Sequence, residues 1–144
     1  MFRCVSVWKI CVGALVLASL AGCGSGSGSN AAPSPYEGTR SGPFTRSITV
    51  LGVATSSSGT ESLTIARDGS FNGTVTNTTL GNTATITGTI ASSGDVSASV
   101  VYPLATYVLS GTLGKNASGQ LTGTLQVSLN NSNVGTETPT LTLQ

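Results

Sequence analysis

Thr64-Ile65-Ala66-Arg67-Asp68-Gly69-Ser70-Phe71-Asn72-Gly73-Thr74-Val75 sets the pattern for most of the chain. Apolar and polar residues alternate on both sides of Asp68-Gly69, and both turn positions tolerate positive φ, so the stretch predicts a β-hairpin. Its second arm, Phe71-Asn72-Gly73-Thr74-Val75, is a five-residue unit: apolar, small polar, Gly, Thr, apolar. The unit returns as Ile86-Thr87-Gly88-Thr89-Ile90, Leu109-Ser110-Gly111-Thr112-Leu113 and Leu121-Thr122-Gly123-Thr124-Leu125. Tyr36-Glu37-Gly38-Thr39-Arg40 reads as a degenerate first copy.

Side chains alternate faces along a strand, so each unit turns its two apolar residues and its Gly one way and its Thr the other. Glycine on the apolar face marks a bend or a close approach, and glycine kinks repeated from strand to strand curve a sheet. Further turn clusters fall at Ser92-Ser93-Gly94-Asp95, Lys115 to Gly119 and Asn130 to Asn133. Between them the pattern predicts strands near 36–42, 45–54, 60–67, 70–77, 83–91, 95–102, 105–114, 120–129 and 137–143. In Ile48 to Val53 the alternation lapses, which predicts a bulge or a two-sided strand.

The expected inner face collects Leu63, Ile65, Phe71, Val75, Ala84, Ile86, Ile90, Val96, Val100, Leu109, Leu113, Leu121, Leu125, Val127, Leu129, Leu141 and Leu143. The outer face is Thr, Ser and Asn. An open meander of eight or nine strands exposes two edges, and closure removes both. The expected fold is therefore all-β: an antiparallel meander closed as a small lipocalin-like β-barrel. Its interior should be a packed apolar core or a small apolar cavity.

Ahead of this domain (36–144) the chain reads differently. Arg3 and Lys9 precede an apolar run from Ile10 to Leu20, the layout of a secretory signal helix and too short to span a bilayer. Leu20-Ala21-Gly22-Cys23 follows. It resembles the lipobox of bacterial lipoproteins, which implies a signal peptide over 1–22, recognition through Leu20, Ala21 and Gly22, and acylation of Cys23 with palmitate-class chains. Several chains are needed for firm anchoring, because one alone binds a membrane only marginally. Gly24 stands where Gram-negative lipoproteins kept at the inner membrane carry Asp, so the resemblance points to the outer membrane. Gly24 to Pro35 is a Gly/Ser/Pro linker, a coil spanning on the order of 20 Å.

Composition narrows the function classes. After cleavage Arg40, Arg46, Arg67 and Lys115 face Glu37, Glu61, Asp68, Asp95 and Glu137, a net charge of −1 without clusters. That excludes the basic stripe of a nucleic-acid binder. The chain has no His, and its three cysteines are Cys4 and Cys11 in the signal and Cys23. The domain thus lacks the commonest general base and metal ligand, and no disulfide, metal or other cofactor is expected.

Asp68 and Asp95 read as turn residues. Glu37, Glu61 and Glu137 fall near expected strand ends and read as solvated rim charges, with convergence at a barrel mouth as the alternative. Arg67 reads as either solvent-facing or paired with Glu61. Tyr102 and Tyr107 flank Pro103 and are the candidates for a contact patch at one barrel mouth, with simple packing as the plainer alternative.

The domain is similar to small bacterial lipoproteins with Gly-Thr-rich up-and-down barrels. In outline it is also similar to the C-terminal barrels of transferrin-binding and factor H-binding surface lipoproteins. It lacks their aromatic-Gly-Pro pattern, so their host-protein binding is not carried over. The expected function is a non-enzymatic, lipid-anchored module of the cell envelope that meets the membrane through its lipid and an envelope or surface partner through its barrel. The alternative is a carrier of one small apolar ligand.

Overall fold

The computed structural model describes residues 32–144. The signal segment, Leu20-Ala21-Gly22-Cys23 and the linker up to residue 31 lie outside the described residues. The rest is a closed antiparallel barrel of eight strands in chain order. They are β1 (Gly38–Val50), β2 (Val53–Ile65), β3 (Ser70–Asn77), β4 (Asn82–Ile90), β5 (Asp95–Val101), β6 (Thr106–Lys115), β7 (Leu121–Leu129) and β8 (Ser132–Leu143). Seven of the eight pairings join neighbours in sequence; β1 against β8 closes the cylinder.

Eight strands form where the sequence predicts nine, because 36–42 and 45–54 are one strand. Gly42-Pro43 suggests a break, yet the β1–β2 register runs through Pro43, which faces Thr60. It is toward β8 that pairing skips Gly42 and Pro43, so the missing N–H falls on the seam. The lapse in alternation after Ile48 is a hairpin turn rather than a bulge. Leu51 and Gly52 both adopt positive φ, 52° and 79°, as a two-residue type I′ turn requires. Leu is a poor left-handed residue, which hid the turn. The bulge lies in β8 instead, where Val134 is the extra residue between Gly135, which faces Val127, and Asn133, which faces Ser128.

The repeated inward glycines are places of close approach. A Cβ on Gly73 would lie 2.0 Å from the Ser62 carbonyl oxygen, and one on Gly88 would lie 2.4 Å from that of Ser97. Neighbouring strands therefore sit closer over these positions than side chains allow, which tightens the curvature.

The two poles differ. The turns after β2, β4 and β6 each close on a glycine with positive φ, Gly69, Gly94 and Gly119, and they carry polar residues. Asp68 accepts bonds from the Ser70 backbone N–H and hydroxyl, and Asp95 accepts from Ser93 and Thr112, which holds both acids below their ordinary range. The entering chain crosses this base. The Ser34 N–H donates to the Arg67 carbonyl at 2.8 Å, Lys115 donates to the Pro35 carbonyl, and Tyr36 is buried as a plug.

The core holds most of the expected inner face. Leu143 is exposed at its strand end and Leu129 is half-buried near the opposite one. Outside, the strands present mainly Thr and Ser.

Candidate functional site

The interior is less apolar than its sequence pattern suggests. Arg40, Arg46, Glu61, Asn77 and Glu137 are all buried. Arg46 shares the inward parity of Phe44 and Ile48 on β1, Glu61 that of Leu63 and Ile65, and Glu137 that of Leu141. Alternation alone would have placed them inside. The rule that charges stay solvated placed Glu61 and Glu137 on the rim, and the structure overturns that expectation. Glu37 and Arg67 are exposed, so Arg67 takes the solvent-facing alternative.

Arg46 and Glu137 face each other directly across the β1–β8 seam. Arg46 Nε donates to Glu137 Oε2, and Nη2 contacts the same oxygen in an ion pair. Arg46 Nη1 donates to the Tyr102 hydroxyl at 3.2 Å. The guanidinium lies 5.2, 5.5 and 5.9 Å from the ring centres of Phe44, Tyr107 and Tyr102, within cation–π range. Burial works against the Arg46 cation, but Glu137 and Tyr102 outweigh it and raise the pKa, so the charge stays. Glu61 comes down beside Glu137. Burial first, then the neighbouring carboxylate, push its carboxyl well above the ordinary range, against a smaller opposing pull from Arg46. Beside the Arg46–Glu137 pair, Glu61 thus resists adding a second negative charge to this floor.

Above the floor the barrel opens. A cavity of about 380 Å³ lies at the pole away from Tyr36. Arg46, Tyr102 and Tyr107 reach it from below, and Ile48, Thr55 and Ser57 from the projecting β1–β2 hairpin. Asn77, Leu80 and Asn82 at the β3–β4 turn, with Pro103, Leu104 and Ala105 at the β5–β6 turn, complete the wall. Tyr102 is buried and Tyr107 half-buried, their rings edge to face with centres 6.0 Å apart. The two tyrosines named by the sequence therefore meet at the mouth, where they line a cavity. Asn77, Asn82 and Arg46 escaped the sequence reading; a signal was available in the Asn77 and Asn82 pair flanking one turn with inward parity.

Neither Glu61 nor Glu137 lines the cavity, and the described residues hold no group of three or more potential metal ligands. The side chains that line the cavity are the Arg46 cation, two tyrosines, the hydroxyls of Thr55 and Ser57, two asparagines and apolar groups. Around the mouth, Leu51, Leu80 and Leu104 stand exposed on three of the four turns, Leu51 and Leu104 at 99%. On the outer wall, Thr45, Ser47, Ser56, Ser58, Thr136 and Thr138 line a second, shallower hollow of about 310 Å³ across β8, β1 and β2. No family model, curated protein or solved structure matches the chain.

Proposed function

We propose that the protein is a non-enzymatic envelope lipoprotein, anchored at the outer membrane through Cys23, whose barrel holds one small molecule at its mouth. The observation that carries the binding role is the cavity of about 380 Å³ at the pole opposite the entering chain. Small-molecule sites are concave, largely apolar, and fitted with a few convergent polar groups. Tyr102, Tyr107, Ile48, Leu80 and Leu104 supply the apolar wall here, and Thr55 and Ser57 supply polar groups. The anchoring role rests on the signal segment and the lipobox resemblance.

A second reading, an interaction module for another envelope component, draws support from the three exposed leucines around the same opening. Native mass spectrometry of the protein purified from its own envelope separates the two. A reproducible small-molecule mass that is lost on denaturation, and absent from Ser57→Phe, which fills the cavity, is the expected result. A bare protein mass, or a mass that Ser57→Phe retains, counts against the carrier. A bound protein instead would favour the module.

A further inference from the structure

The β1–β2 hairpin runs on past its neighbours. β8 pairs with β1 only as far as Ile48, and β3 pairs with β2 only from Gly59 onward, so Val53 to Ser57 pair with β1 alone. The tip, Val50-Leu51-Gly52-Val53-Ala54, has no polar side chain, and Leu51 and Val53 are exposed. Behind it come Thr55, Ser56 and Ser57 on one arm and Ser47 and Thr49 on the other. The hairpin is thus graded along its length, apolar at the end and hydroxylated behind it. Leu51 is held at φ 52°, a backbone state that disfavours leucine and suits asparagine or glycine. An exposed leucine kept there argues for a use of its side chain.

Leu80 and Leu104 extend the same apolar end on two further turns. Charge is kept away from it: among the described residues every exposed charged side chain, Glu37, Arg67, Asp68, Asp95 and Lys115, lies at the base. The leucines stand on separate turns, two of them almost fully exposed. A folded partner would need a pocket shaped for each, and such interfaces are anchored by aromatic and Arg side chains inside a polar rim. A fluid lipid surface closes around separate apolar prongs without that matching, and one of no net charge calls for no charged group. We propose that the mouth of the barrel docks on a bilayer surface without net charge. The β1–β2 tip, Leu80 and Leu104 enter the boundary between headgroups and acyl chains, about 5–10 Å deep. Thr55, Ser56 and Ser57 lie among the headgroups, where water still reaches the unpaired edge of β2; the hydrocarbon interior would leave that edge unsatisfied. The twelve residues from Gly24 to Pro35 reach at most about 40 Å. Thirteen-residue strands at a barrel's tilt rise roughly 33 Å. The mouth can therefore come down on the membrane that Cys23 is proposed to hold. This docking goes beyond the carrier reading and does not depend on what the cavity holds.

The test uses the chain from Gly24 onward, since the described residues close into one barrel with its own core and need no anchor to fold. That chain has no tryptophan, so Leu104→Trp supplies a single reporter. On titration with phosphatidylcholine vesicles its emission should shift to the blue, equally in low and high salt. Lipids brominated near the headgroup end of their chains should quench it most. Leu51→Asn in the same background should weaken partitioning about tenfold, the worth of one leucine side chain taken out of water. Its thermal midpoint should hold or rise, because asparagine suits the positive φ. Emission that vesicles leave unshifted overturns the proposal, as does binding that Leu51→Asn leaves intact or that high salt abolishes. Self-association in sedimentation without vesicle binding overturns it in favour of a second copy, and a co-purifying protein without vesicle binding does so in favour of a protein partner. An empty cavity in the native mass measurement removes the carrier and leaves this docking standing.

Discussion

Glu61 departs furthest from what its residue type ordinarily does. Its carboxyl is more basic in the folded barrel than in the unfolded chain, so the folded state holds the proton more tightly. The stability this allows is complete below the ordinary value near 4.5 and is lost as pH rises from there through the folded value. The slope over that window is at most about 1.4 kcal/mol per pH unit. Glu61→Gln removes the ionisation while keeping the shape. Its denaturant midpoint should stay level from about pH 5 upward where the parent declines, and the two should converge at low pH. A parent that gains stability between pH 5 and pH 8 while the variant does not would refute the assignment. At this scale the sequence is only half legible. The parity of Arg46, Glu61 and Glu137 pointed inward, but their charge argued outward. What reversed the argument was each other's presence, which depends on the β1–β8 closure and cannot be read from any one strand.

Strands were more legible than residues, because each repeated unit carries its own alternation and its own turn. Ser70–Asn77, Asn82–Ile90 and Leu121–Leu129 emerged within about a residue of their expected bounds. The failures have local causes: Pro43 spoiled one ladder and not the other, and Leu51 took a turn position that asparagine or glycine would have advertised. The glycine reading belongs here as well. Gly88→Ala sets a methyl 2.4 Å from the Ser97 carbonyl oxygen and 2.7 Å from both Cα and Cβ of Ala98, all on β5. The backbone cannot yield as a side chain would, so the substitution should cost about 1–3 kcal/mol, the usual range for overpacking. Thermal unfolding would show it, and an unchanged midpoint would mean that β4 and β5 do not approach as described.

The molecule as a whole is polarised. Glu37, Arg67, Asp68, Asp95 and Lys115, all exposed, lie at the base, while the mouth turns carry leucines, asparagines and threonines and no charge. Replacing Leu51, Leu80 and Leu104 together by Ser should leave stability within about 0.5 kcal/mol, as is usual for surface sites away from special features. It should also lower binding of a hydrophobic dye such as anilinonaphthalene sulfonate. Dye binding that persists undiminished would place the dye away from these three leucines. Closure itself was argued from the hazard of open edges, and the interior from alternation, which left a packed core and a small cavity as alternatives; the choice was not legible, because the volume follows from how far the β1–β2 hairpin projects past its neighbours.

The two terminal strands meet at the base, where Arg40 stands opposite Leu143 and the Gln144 N–H donates to the Thr39 carbonyl. The first and last strands both meet the rest of the chain at the pole that Tyr36 plugs, so among the described residues neither end lies at the opposite pole. The barrel is therefore a ready display scaffold: fused at either end to a surface or another domain, it holds its opening toward the medium. A circular permutant opened at Asn130-Asn131 would invert that presentation with the same eight strands.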